Sequence, residues 1–319
     1  MDKASYNRFS YSIRPRKSIQ RRIMLDLLRS AQTYVDLREF VYIGFGSVYF
    51  VDFLLFNRHF HFKQLVSIEG QVGDKKRFEF SKPLGSIDIK YGLSSDVLPK
   101  LDRTQPIVAW LDYDEKLDSN KLDDLEWFVQ FAKVGSIFFI TVDADLGKTA
   151  EVLKEAVESQ VSLIGERIVY MRKESQDWHR PTPHLSCLEK VCEGVINAQL
   201  GKRNLSLDPA ERLSLTPIFS AHYADGNRMF TLGWQITNKN LAKVVKSNLK
   251  NSIGFPKVNG KILDITYPLL TRPEQRFVEK HVASSRFKTL MDRHCIPIVD
   301  AKEYARLYRY CPQYAEMEW

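Results

Sequence analysis

The stretch Phe40-Val41-Tyr42-Ile43-Gly44-Phe45-Gly46-Ser47 decides the fold. Its first four residues have the unbroken apolar character of a strand buried on both faces, and they stop at two glycines one residue apart. A helical pattern over 49–56 follows directly, and a second apolar run, Leu65-Val66-Ser67-Ile68, ends on Glu69. An α/β nucleotide site places its ribose-binding carboxylate at about this distance beyond the glycine turn. Gly44 and Gly46, lacking a Cβ, let the chain turn tightly against a ligand, and Glu69 can then accept hydrogen bonds from a ribose diol. Where a dinucleotide fingerprint carries a third glycine beside the pyrophosphate, this chain has Tyr49, which favours a nucleoside ligand without phosphates over NAD or FAD.

The same grammar recurs downstream. A third strand over 87–91 runs into Gly92-Leu93-Ser94-Ser95-Asp96, and a fourth over 106–111 ends in Asp112-Tyr113-Asp114. Ligands of an open parallel sheet bind beyond the carboxyl ends of its strands, so Glu69, Asp96 and Asp112 are expected at one crevice. Helix capping by Ser94, Ser95 or Asp96, and of the turn into a helix over 119–133 by Asp112 or Asp114, is a role that needs no ligand. A fifth strand over 137–142 and a helix over 149–159 complete a doubly wound α/β pattern. Strands over 217–223 and 228–236 flank Ala224-Asp225-Gly226-Asn227, an antiparallel hairpin signal.

On these residues the chain resembles class I S-adenosylmethionine-dependent methyltransferases, in which a shortened glycine turn is followed by an acid ending the second strand. The strings Tyr42-Ile43-Gly44-Phe45-Gly46-Ser47 and Leu111-Asp112-Tyr113-Asp114 are similar to those of bacterial sequences described as O-methyltransferases. The resemblance covers about residues 18–238. It implies a Rossmann-like sheet ending in an antiparallel hairpin, S-adenosylmethionine as cofactor, and transfer of a methyl group to an oxygen or nitrogen nucleophile. Gly44, Phe45, Gly46, Ser47, Glu69 and Asp96 are the implied cofactor residues, Asp96 holding the adenine amino group. Asp112, with Asp114 as second choice, is the implied general base, or the ligand of a metal that lowers the substrate pKa. The fourth strand lacks the Asn/Asp-Pro-Pro-Tyr/Phe pattern of amino-methyltransferases and the Pro-Cys nucleophile of pyrimidine carbon methylation, and the fifth lacks the lysine of 2′-hydroxyl RNA methyltransferases.

The 319 residues are expected to divide into a methyltransferase-like domain, 1–238, with an insertion at 161–214, and a basic helical appendage, 239–319. Within the first, a helix from Ser18 has Ile19, Ile23, Met24, Leu27 and Leu28 on one face, with Arg14 and Lys17 near the mouth of the site as candidate substrate contacts. The histidines and four cysteines form no recognisable metal or disulfide framework. No apolar run suits a membrane span, and the opening residues lack a secretory signal, so a cytoplasmic location is expected. The net charge of +8 is unevenly spread: residues 1–30 carry eight Lys/Arg against two Asp/Glu, and residues 239–319 carry fifteen against eight, around a mildly acidic body. Two basic ends meeting in space would offer a phosphate-binding face, and Tyr6, Phe9 and Tyr11 interleave with the first of them. A nucleic-acid substrate is one expectation. The competing one is a catalytically silent module of this fold that holds nucleic acid or a protein partner.

Overall fold

The computed structural model describes residues 14–102, 104–146, 150–170, 181–251 and 262–313. Tyr6, Phe9 and Tyr11, and residues 171–180 of the expected insertion, lie outside them. Eight strands form one sheet: β1 (Val41–Gly44), β2 (Gln64–Glu69), β3 (Ile87–Tyr91), β4 (Ile107–Lys116), β5 (Ile137–Asp143), β6 (Ser214–Ala224), β7 (Arg228–Thr237) and β8 (Leu263–Asp264). Their order is β3-β2-β1-β4-β5-β7-β6-β8, parallel from β3 to β5, with β7 antiparallel to both β5 and β6. The fold is the doubly wound sheet ending in a hairpin that the sequence pattern predicts.

One face of the sheet carries α1 (Pro15–Ala31), α2 (Val51–Phe60) and α3 (Lys75–Ser81), together with α8 (Lys239–Asn251), α9 (Arg272–His281), α10 (Phe287–Arg293) and α11 (Ile298–Leu307). The other face is covered by α5 (Ser119–Phe131), α6 (Ala150–Ile164) and α7 (Pro181–Asn204), with the short α4 (Ser94–Val97) beside them. The segment from 239 onward is continuous with the first core, since Val245, Ile265, Val278, Met291 and Tyr304 join Ile23 and Phe53 there, and it adds β8 to the sheet edge. No helix among the described residues is long and apolar enough to cross a membrane.

Several boundaries differ from the sequence expectation for local reasons. Helix α1 begins at Pro15 rather than Ser18, because proline at the first helical position forfeits an N–H that would have no partner anyway. Helix α2 begins at Val51 because Ser47 and Phe50 adopt left-handed backbone, φ 49° and 45°, which prolongs the turn. Strand β4 continues through Asp112-Tyr113-Asp114 to Lys116, so these acids do not cap α5; Asp118 does, accepting from the Lys121 amide. Nor do Ser94, Ser95 or Asp96 cap α4, whose N-cap is Leu93.

Gly233 in β7 lies between Phe139 of β5 and Phe219 of β6, and the two rings close over it. A Cβ there would meet the Phe139 ring at 2.4 Å and the Phe219 Cβ at 3.0 Å. Gly233→Ala is expected to cost about 1–3 kcal/mol of stability through overpacking, read as a lowered Tm by scanning calorimetry.

Candidate active site at the carboxyl edge of the sheet

Strand register places the two principal acids. Gly44 of β1 pairs with Ser67 of β2 on one side and with Trp110 of β4 on the other, so Glu69 and Asp112 each stand two residues farther along the two neighbours of β1. Two strand spacings separate them, roughly 10 Å. Both have the parity of Tyr42 and Trp110 and project to the face carrying α1 and α2. This is also where the strand order reverses, with β2 and β4 on opposite sides of β1.

The glycine turn closes on Glu69. The Gly46 N–H donates to Ser67 Oγ at 3.0 Å, the Ser67 hydroxyl donates to Glu69 Oε1 at 2.7 Å, and the backbone N–H groups of Ser47 and Gly46 bond to the Glu69 carboxyl. Glu69 is 6% exposed, and burial raises its pKa from 4.5 to about 7 despite those donors. The glycines serve close approach rather than unusual backbone. Neither Gly44 nor Gly46 has positive φ, but a Cβ on Gly46 would lie 2.4 Å from the Phe50 ring and 2.8 Å from Ser67 Oγ. The left-handed positions fall on Ser47 and Phe50, whose ring is fully buried and holds the strained turn in place.

Phe45, half-buried, meets Tyr113 edge-on at 5.0 Å. The Tyr113 hydroxyl donates to Asp124 Oδ2 at 2.6 Å, and the Ser94 hydroxyl reaches the same oxygen at 2.5 Å. Asp124, buried on α5, thus ties the start of α4 to the outer part of β4, on which Phe45 packs, and desolvation raises its pKa. Asp96 lies in the first turn of α4 and is exposed, as is Asp114 on the outer part of β4. Neither is drawn into the glycine turn.

Asp112 is held from α1. Lys17 Nζ contacts both its carboxylate oxygens at 2.5 Å and lies 4.9 Å from the centroid of the Trp110 ring and 5.6 Å from that of Tyr223. The lysine is 1% exposed and lies beneath the surface rather than at the mouth, while the Asp112 side chain stays partly open at 17%. Burial lowers the Lys17 pKa from 10.5 to about 8, with Asp112 opposing the shift and Arg14 and Arg21 reinforcing it. Arg14 is the half-buried N-cap residue of α1.

Sequence reasoning missed the second layer of this cluster. Tyr42 donates its hydroxyl to buried Asp52 at 2.5 Å, Arg21 is buried within the electrostatic reach of Asp52, and the buried Tyr223 hydroxyl has no protein partner among the described residues. A signal was available for the acids: Asp52 is four residues before Phe56, and Asp124 four before Phe128, each on its helix's apolar face.

A family model described as "Putative O-methyltransferase" matches residues 9–319. Among solved structures the chain is similar to an O-methyltransferase from Bacillus cereus in complex with SAH, at 14% identity over 73% of this chain and 86% of that one, TM-score 0.39. It is similar to the O-methyltransferase TomG from Streptomyces achromogenes in complex with SAM, at 15% identity over 70% and 88%, TM-score 0.35. A third, described as a putative O-methyltransferase from Klebsiella pneumoniae, shows 14% identity over 68% and 79%, TM-score 0.36. No curated protein matches the chain.

The raised pKa of Glu69 has a signed consequence. Between about 4.5 and about 7 the folded protein keeps a proton that the unfolded chain has released, so this group's contribution to stability falls as pH rises through that window. Glu69→Gln is expected to flatten the slope and to gain on the order of 2 kcal/mol relative to the parent at pH 8 but little at pH 4, measured by urea unfolding.

Proposed function

The chain belongs to this O-methyltransferase family, and from that premise we propose that it binds S-adenosylmethionine where β1 and β2 end and transfers the methyl group to an oxygen nucleophile placed beside Asp112. The observation that carries the reading is the register that sets Glu69 and Asp112 level with each other on either side of Gly44. The chain's own groups fit the cofactor: a turn pressed close by a glycine that admits no Cβ, and a buried carboxylate at the end of β2. When bound, the cofactor supplies an electrophilic methyl group on a sulfonium.

In this reading Glu69, oriented by Ser67 and by the Gly46 and Ser47 amides, accepts from the ribose hydroxyls, which requires it ionised. Phe45 and Tyr113 form an aromatic wall of the nucleoside pocket, and Asp96 reaches the adenine amino group. Asp112 orients the acceptor hydroxyl and takes its proton as the oxygen gains the methyl group. Proximity and alignment supply much of the acceleration in such a displacement, and the base adds the rest. Lys17 is a positioning residue: it grips both carboxylate oxygens from below and leaves the outer lone pairs to the acceptor. Burial brings the Lys17 pKa down to about 8, so its charge beside Asp112 is present below that pH and lost above it.

Two sets of outcomes test this. Calorimetric titration should show S-adenosylmethionine binding that strengthens as pH rises through about 7, where Glu69 ionises. Glu69→Ala should weaken that binding at least about tenfold. Methyl transfer from radiolabelled cofactor to a panel of phenols and to total RNA should fall about 100-fold or more in kcat for Asp112→Asn, with cofactor affinity within about twofold. The rate should rise through about pH 8, and Lys17→Gln should remove that rise. Cofactor binding with no transfer to any acceptor would instead support a nucleoside-binding module.

A further inference from the structure

A pocket of about 300 Å³ lies between Arg22, Asp26 and Arg29 of α1, His59 of α2, and Arg309 and Tyr310 just beyond α11, with Leu25 and Leu55 adding apolar lining. It is remote from the glycine turn. His59 stands near the far end of α2, and Arg29 is twelve residues beyond Lys17, or about 18 Å along the α1 axis. Nothing in the proposed methyl transfer uses it.

We propose that this pocket binds a phosphoryl group. Three guanidinium groups and an imidazole converge on it against one carboxylate, and that carboxylate is already engaged. Asp26 accepts from Arg29 Nη1 at 2.9 Å and from the Tyr310 hydroxyl. The positive charges of Arg22 and Arg309 are therefore not compensated within the lining. Arg22 is oriented by two carbonyls, donating through Nη1 to Cys311 O at 2.9 Å and Tyr310 O at 3.4 Å, bonds that fix the fork without neutralising it. Arg309 is engaged through Nε with the Tyr308 hydroxyl, which leaves its two terminal nitrogens as donors. Arg29 Nη2 lies 3.4 Å from His59 Nδ1, so that ring nitrogen accepts and Nε2–H is the donor left on His59.

The result is a set of converging N–H donors with surplus positive charge, which suits the several acceptor oxygens of a phosphate better than a single carboxylate. The volume is at the small end of ligand sites and accommodates a phosphate with an attached sugar or base. The phosphoryl group can come from a free mononucleotide or from a nucleic-acid backbone. The two basic chain ends noted in the sequence meet here, one through α1 and the other through Arg309.

The test is thermal denaturation of the full chain with inorganic phosphate, AMP and a short single-stranded RNA, each at low and high salt, with chloride at matched ionic strength as control. Phosphate is expected to raise Tm saturably where chloride does not. Arg309→Gln and Arg29→Gln should each weaken the apparent affinity about tenfold, equivalent to one charge-assisted contact. Both side chains are exposed, so the variants should melt near the parent temperature without phosphate, and their affinity for S-adenosylmethionine should be unchanged. AMP binding more tightly than RNA identifies a free nucleotide as the source; tighter, steeply salt-dependent RNA binding identifies a backbone. The proposal is overturned if no probe gives a saturable shift, or if the shift persists in the Arg29→Gln/Arg309→Gln double variant.

Discussion

The buried ion pair between Lys17 and Asp112 is the constraint on which the arrangement of this protein turns. Placing an ammonium at 1% exposure costs several kcal/mol of hydration unless its partner is close and well aligned, and here both carboxylate oxygens are within 2.5 Å. Helix α1 docks through its apolar face, where Ile19, Ile23, Met24, Leu27 and Leu28 are all buried, and the ion pair ties that docking to one point on β4. Two further contacts agree with it. Asp225, in the β6–β7 turn, accepts from the Lys17 amide at 3.0 Å and so caps a helix 208 residues away, where Arg14, the local N-cap, provides no side-chain cap. Gln20 donates to Thr231, which bonds Thr141, which in turn accepts from the Trp110 indole; this buried polar chain crosses from α1 through β7 and β5 to β4.

With α1 fixed, the C-terminal segment has a surface to close upon. Arg22 holds the carbonyls of Tyr310 and Cys311, and the side chains of α8, α9, α10 and α11 complete the core that α1 and α2 begin. The basic pocket is a by-product of that closure, since its N–H donors come from α1, α2 and the chain beyond α11 and only tertiary packing brings them together.

The two acids at the carboxyl edge are equivalent by register and opposite in environment. Glu69 is held by hydroxyl and amide donors without a cation, so desolvation dominates and the acid form is favoured. Asp112 is held by a full positive charge and keeps an open side. One sheet geometry therefore supplies one carboxyl group among neutral donors and another in an ion pair, and the difference lies in what the neighbouring elements bring against each.

The sequence by itself determined the order of the elements, the sheet class and the edge at which a ligand would sit. Strand-length apolar runs ending in glycine or acid are local signals, and the carboxyl edge follows from strand direction alone. It also singled out Glu69 and Asp112, because a charged residue at the end of a buried run is conspicuous without a structure, and named Lys17, with Arg14, only as a candidate substrate contact. Tertiary structure alone decided which of these meet. Lys17 is paired with Asp112, 95 residues away, whereas Asp114, two residues from it, stays exposed; the pairing is a matter of where α1 docks along β4. The structure also moved the work of Gly46 from backbone freedom to close packing against Phe50, and showed Asp52 and Asp124 as buried acids on apolar helix faces. A hydrophobic pattern records which face of a helix is buried, but the hydrogen-bond donor that makes a buried acid tolerable comes from another element, and no local stretch of sequence contains it.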